Sequence, residues 1–133
     1  MSTDSIVGCR ILVVEDEMLI ALMIESTLQK LGCIIVGPAS RLEQAQRLAS
    51  EEALDAAILD ITIRGGAVYP VAEQLLARGV PFVIASGYGD WSLPEPLRNQ
   101  PRLTKPFTEE DVQEQINRLC CKAHKSRNPE EVK

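Results

Sequence analysis

Acidic, hydroxyl and ammonium side chains recur in this chain at the ends of short apolar runs. Glu15, Asp16 and Glu17 follow Arg10-Ile11-Leu12-Val13-Val14, and Asp60 closes Ala56-Ala57-Ile58-Leu59. Ser86 follows Phe82-Val83-Ile84-Ala85, and Lys105 follows Arg102-Leu103-Thr104. Singly, each has a bland reading. A strand-end Asp is a cap or a turn residue, and three successive acids are the first turn of a helix, favoured by the macrodipole. Ser86-Gly87 alone is a turn, and Lys105-Pro106 alone opens a helix. Together they are a chemical set. Carboxylates converging at one place repel and raise one another's pKa values. A hard divalent cation relieves that repulsion, and oxygen-only donors favour Mg²⁺ or Mn²⁺ over zinc. Lys105 adds a mobile point charge suited to a phosphoryl group, and Ser86 adds a hydroxyl donor.

The elements that must position these groups alternate. Arg10–Val14 is β-branched and short, as in a strand buried on both faces. Ile20, Ile24, Leu28 and Leu31 then recur at helical spacing, and Gly32 suits the C′ position. Residues 33–36 form a second apolar run, closed by Gly37-Pro38. Ser40 and Glu43 have the spacing of a capping box ahead of Leu42, Ala45, Leu48 and Ala49. Residues 56–59 are a third strand, and Gly65-Gly66 marks the turn after it. Pro70 suits the first turn of a helix through Val71, Leu75 and Leu76 to Gly79. Residues 82–85 are a fourth strand and 102–104 a weaker fifth. Thr108 and Asp111 cap a last helix with Val112, Ile116, Leu119 and Cys120 on one face. Between Ala85 and Arg102 two glycines and three prolines leave the fourth helix short or absent. Strands alternating with helices predict an α/β domain with a parallel sheet covered on both sides. Ligands of such sheets bind outside the carboxyl ends of the strands, where this polar set falls.

At 133 residues the chain is one domain, and 45% hydrophobic with 25% charged residues is a globular composition. Lysine and arginine number 14 against 19 acids, a net charge of −5, which argues against a nucleic-acid surface. No apolar run is long enough to span a membrane, and the polar start lacks the pattern of a secretory signal. A cytoplasmic location is expected. Cys9, Cys33, Cys120 and Cys121 have no CxxC spacing, and the only histidine is His124, which excludes a zinc site and a His-dependent triad. All four cysteines read as reduced structural thiols.

On Val13-Val14-Glu15-Asp16-Glu17, Ile58-Leu59-Asp60-Ile61, Ala85-Ser86-Gly87 and Thr104-Lys105-Pro106-Phe107, the chain resembles the receiver domains of bacterial two-component response regulators. The resemblance covers about residues 9 to 121. It leaves 1–8 as an N-terminal extension and 122–133 as a flexible charged tail. It implies a flavodoxin-like, doubly wound sheet of five parallel strands in the order 2-1-3-4-5. It implies Asp60 as phosphoacceptor, Glu15, Asp16 and Asp60 as Mg²⁺ ligands, and the backbone carbonyl of Thr62 completing the metal site. Ser86 and Lys105 would hold the phosphoryl oxygens. The implied donor is a sensor histidine kinase. Output would come through another protein or by draining phosphate from a shared kinase, with the chain a monomer or weak dimer. Such a domain catalyses its own phosphorylation and is not an enzyme in the turnover sense. Two rivals carry different chemistry. An Asp-nucleophile phosphohydrolase commonly needs a second acid close after the nucleophile, which Asp60-Ile61-Thr62 lacks. A pseudo-receiver would bind partners without phosphorylation, yet every residue needed for chemistry is present.

Val68-Tyr69-Pro70-Val71-Ala72 and Pro81 to Gly89 narrow the resemblance to a subgroup of stand-alone receivers whose fourth strand ends Phe-Ala-Thr-Gly-x-Tyr. Here Ile84 and Ser86 replace that Phe and Thr, and serine keeps the hydroxyl. The chain also departs at Arg102, where many receivers carry an aromatic switch residue three before the lysine. A charge cannot serve as a buried ring. The expectation is therefore that phosphorylation orders the loop at 87–101, with Tyr88 over the site and Trp91 and Leu93 as contacts.

Overall fold

The computed structural model describes residues 6–63, 65–87 and 95–127. In chain order its elements are β1 (Arg10–Val14), α1 (Met18–Lys30), β2 (Ile34–Ala39), α2 (Leu42–Glu51), β3 (Ala56–Asp60), β4 (Thr62–Ile63) and β5 (Gly66–Ala67). There follow α3 (Tyr69–Arg78), β6 (Phe82–Ser86), α4 (Glu95–Arg98), β7 (Arg102–Thr104) and α5 (Glu109–Arg127). Five strands form one sheet in the order β2-β1-β3-β6-β7, and every pairing in it is parallel. Counted without the small β4–β5 hairpin, that is the expected 2-1-3-4-5.

Period-two alternation explains why the central strands are apolar throughout. Ile11 and Val13, Ala56 and Ile58, and Val83 and Ala85 face α1 and α5, packing with Ile24, Leu28, Val112, Ile116, Leu119 and Cys120. Their alternates Leu12 and Val14, Ala57 and Leu59, and Phe82 and Ile84 face α2 and α3, packing with Ala45, Ala49, Val71, Ala72 and Leu75. Each apolar residue of β1, β3 and β6 therefore has a core to enter, whereas Asp60 and Ser86 end β3 and β6 outside both clusters. Cys9, Cys33 and Cys120 are buried and outside any disulfide, as expected.

Three local expectations need correction. β2 does not stop before Gly37-Pro38 but runs through it to Ala39. It is an edge strand, where a missing proline N–H interrupts no ladder on its outer side. Gly37 sits at φ +107°, and a Cβ there would lie 2.9 Å from the Val13 carbonyl oxygen. Secondly, the Ser40–Glu43 capping box is not formed. With β2 prolonged, the chain is still extended at Arg41 (φ −127°, ψ 149°), so α2 starts at Leu42 without a side-chain cap. Thirdly, α5 continues to Arg127, past the boundary expected at 121. Lys, Ala and Arg are good helix formers, and basic residues in a last turn complement the helix dipole.

Other signals hold. Thr108 and Asp111 cap α5 reciprocally: the Thr108 N–H donates to Asp111 Oδ2 at 2.9 Å, and the Asp111 N–H to Thr108 Oγ1 at 3.2 Å. Gly79 ends α3 in the left-handed region at φ +73°. The fourth helix is the short α4, four residues long. Tyr88, Trp91 and Leu93, on which the expected ordering of the loop rests, lie outside the described residues.

Candidate active site at the carboxyl edge of the sheet

Strand register brings the polar set together. Val14 pairs with Leu59, so the residues that follow, Glu15 and Asp60, leave their strands at one level. Asp60 pairs with Ala85, and Ser86 with Thr104, which sets Ser86 and Lys105 one step further along the same edge. The Lys105 N–H donates to the Ser86 carbonyl at 2.8 Å, tying the two loops at the lysine's own backbone. None of these groups is near another in sequence except through the acidic triple. The parallel sheet is what assembles them.

Glu15, Asp16 and Asp60 each offer a carboxylate oxygen within 4.8 Å of the other two. Glu15 is 2% exposed and Asp60 7%. The Glu15 Oε2 accepts the Glu17 N–H at 3.1 Å, whereas Oε1 is buried without a hydrogen bond. Lys105 Nζ lies 3.5 Å from that Oε1, close enough for charge attraction but not aligned as a donor. The ammonium instead donates to Asp60 Oδ2 and to Glu17 Oε1, both at 3.3 Å. A buried oxygen with an unused lone pair, in a cluster of three carboxylates, fits a hard cation such as Mg²⁺.

The electrostatics carry the same sense. Burial pushes the Glu15 carboxyl up to about 7, opposed by the Glu17 N–H and reinforced by the charge on Asp60. Burial also raises Asp60 above the usual carboxylate range, against the pull of Lys105. Burial lowers the Lys105 ammonium, but the Asp60 and Glu15 carboxylates more than offset it, and the net shift is upward. The site thus holds excess negative charge at cost, which a divalent cation would relieve.

Glu15, Asp16, Asp60, Ser86 and Lys105 all come to this edge, as their positions in the sequence implied. Thr62 opens the β4–β5 hairpin two residues after Asp60, so its backbone leaves the same edge. Sequence reasoning missed Glu17 as a partner of the lysine. The signal was present in the third consecutive acid, but only the fold places residue 105 opposite residue 17. It also missed the apolar rim. Met18, Leu19 and Leu22 on the first turns of α1 are 75%, 81% and 53% exposed. Beside them a cleft of about 260 Å³ is lined by Glu15, Asp16, Met18, Ala21, Pro38 and Ser40.

A doubly wound domain with a metal-competent acidic pocket and an opposed lysine at the carboxyl edge of its sheet has the ligand site of its fold class, outside the strand ends. Comparison with solved structures narrows it. SdrG from Sphingomonas melonis Fr1 is 41% identical, with a TM-score of 0.74 over 86% of this chain and 97% of that one. The receiver domain of the sensor histidine kinase PA1611 from Pseudomonas aeruginosa PAO1, whose active-site cleft coordinates a magnesium ion, is 26% identical. It has a TM-score of 0.75 over 85% of this chain and 98% of that one. The response regulator PhyR from Brucella abortus is also 26% identical, with a TM-score of 0.78 over 96% of this chain, which spans 54% of PhyR. No protein-family model matches the sequence, and no curated protein does. The chain belongs to the receiver-domain family of response regulators.

Proposed function

We propose that this domain accepts a phosphoryl group on Asp60 from the phosphohistidine of a sensor histidine kinase. The observation that carries the reading is the setting of Asp60: one carboxylate clustered with Glu15 and Asp16 while hydrogen-bonded to Lys105. A free Asp60 oxygen attacks phosphorus, an O–P bond forms as the N–P bond breaks, and the imidazole leaves with the electron pair. Phosphoryl transfer of this kind needs positioning and charge neutralisation more than covalent help. Lys105 turns from the Asp60 carboxylate to a phosphoryl oxygen, and the Ser86 hydroxyl donates to another. Glu15, Asp16 and Asp60, with the Thr62 carbonyl, would hold Mg²⁺, which when bound neutralises charge on the phosphoryl oxygens. Mn²⁺ offers the same hard acceptor for these oxygens.

The domain catalyses its own modification and returns to the free state when the acyl phosphate is hydrolysed. It is a signalling phosphoacceptor and not a turnover enzyme. Its output passes to another protein or drains phosphate from the kinase. The exposed Met18, Leu19 and Leu22 beside the acid pair offer the donor an apolar landing surface, so that its phosphohistidine reaches Asp60.

Incubation with Mg²⁺ and acetyl phosphate, followed by intact-mass measurement, tests the reading. The expected result is a gain of one phosphoryl group lasting minutes and absent in Asp60→Asn, whose amide is nearly isosteric and keeps the fold. Rapid release of free phosphate without accumulation would instead mark a phosphohydrolase. No reaction with Mg²⁺ bound would mark a binding module with silent chemistry.

A further inference from the structure

Lys105 has two hydrogen-bonded anions, and they differ in kind. Asp60 is buried and is the group to be phosphorylated, whereas the Glu17 side chain is 63% exposed at the mouth of the site. Glu17 is not among the carboxylates that converge within 4.8 Å for a cation. Its backbone, however, is fastened to the cluster, because its N–H donates to Glu15 Oε2 at 3.1 Å. The Glu17 carboxylate is therefore held where it meets the lysine across the gap between the β1–α1 and β7–α5 connections.

We infer that Glu17 is a positioning residue that restrains phosphorylation, by occupying the Lys105 ammonium and adding a negative charge that an incoming phosphoryl group must face. This rests on the phosphoacceptor reading above. The charges around the site give the sign. Glu15, Asp16, Glu17 and Asp60 against Lys105 leave three negative charges in excess, and a divalent cation leaves one. Without the Glu17 charge that remainder is zero. A phosphoryl group then meets no net repulsion, and it need not draw an ammonium hydrogen bond away from a competing carboxylate. Both consequences favour the anion. Because the Glu17 pair is exposed, its effect is of the size of a surface ion pair, not of a buried one.

Beryllofluoride, a phosphoryl mimic that needs no donor, separates this inference from the reading beneath it. At saturating Mg²⁺, Glu17→Gln is expected to bind beryllofluoride about two- to fivefold more tightly than the wild type, and Glu17→Lys more tightly still. Mg²⁺ affinity measured alone moves the other way, weakening in the same order. That opposition of sign is the mark of charge, since a merely structural loss at the β1–α1 connection weakens both ligands. At about 1 M salt, where screening acts over about 3 Å, the differences among the three proteins shrink. Equal or weaker beryllofluoride binding by Glu17→Gln, while the wild type binds it, overturns the role given to Glu17. A wild-type chain that binds Mg²⁺ but no beryllofluoride overturns the phosphoacceptor reading itself, and the inference falls with it.

Discussion

Glu15 shows most clearly how burial and chemistry are coupled in this site. Its carboxyl is raised from an ordinary value of 4.5 to about 7, first by burial. The folded state therefore holds a proton that the unfolded state releases, and between those two values it binds more protons. The Glu15 contribution to the stability of the metal-free protein therefore falls as pH rises from about 4.5 through about 7, by an amount on the order of 3 kcal/mol. Urea unfolding across that range measures it, and Glu15→Gln, which cannot ionise, should flatten the profile. A profile of the variant as steep as that of the wild type would assign the pH dependence elsewhere. Asp16→Asn removes one anionic oxygen from the cluster and should weaken Mg²⁺ binding while making the metal-free protein more stable. Unchanged Mg²⁺ affinity would place the cation elsewhere.

Caps and one glycine decide where the elements begin and end. The reciprocal bonds between Thr108 and Asp111 satisfy two donors at the start of α5. Thr108→Ala should cost about 1 kcal/mol, seen as a lower urea midpoint at unchanged slope. Gly37→Ala should cost more, about 2 kcal/mol, because φ +107° is strained for any L side chain and the new Cβ meets backbone on both sides. Val13 O and Ala39 N cannot retreat as a flexible side chain would, since both belong to the β1–β2 edge. The same edge carries the Glu15 N–H, which donates to the Ala39 carbonyl at 2.9 Å. A strained Gly37→Ala edge should therefore also lower Mg²⁺ affinity, through the acid pair it helps to place. If stability falls while Mg²⁺ binding stays the same, the edge and the acid pair are mechanically independent.

At the scale of the whole molecule, one end of the sheet gathers the acids and the lysine, and helices pack on both of its faces. On α1, Met18 and Leu19 are the two most exposed large apolar side chains among the described residues. Leu19 is 81% exposed, so Leu19→Ser should leave stability unchanged. It should slow phosphoryl transfer from a kinase about fivefold or more while leaving the rate with acetyl phosphate as it was. The contrast between a protein donor and a small one is the measurement that matters. Equal slowing with both donors would place Leu19 in the chemistry of the site and not in docking.

Strand order came with the family resemblance, whereas the alternation of strands and helices, the sheet covered on both faces and the five groups at its carboxyl edge were legible in the sequence itself. Their signals are local: an apolar run a few residues long, a polar residue at its end, a glycine after a helical stripe. Period-two burial on both faces forces such runs into a parallel sheet, and a parallel sheet brings all its strand ends to one edge. Tertiary structure alone decided what depends on register and on packing between distant segments. The Ser40–Glu43 spacing promised a cap, but prolongation of β2 kept the backbone extended through Arg41 and left that promise unused. The β4–β5 hairpin depends on Gly65 and Gly66 taking positive φ, which glycine permits without requiring. Glu17 read as one more acid in a first turn until residue 105 was placed opposite it. An ion pair between residues 88 positions apart has no local signature, because its geometry is set by three successive strand pairings and not by its own neighbours.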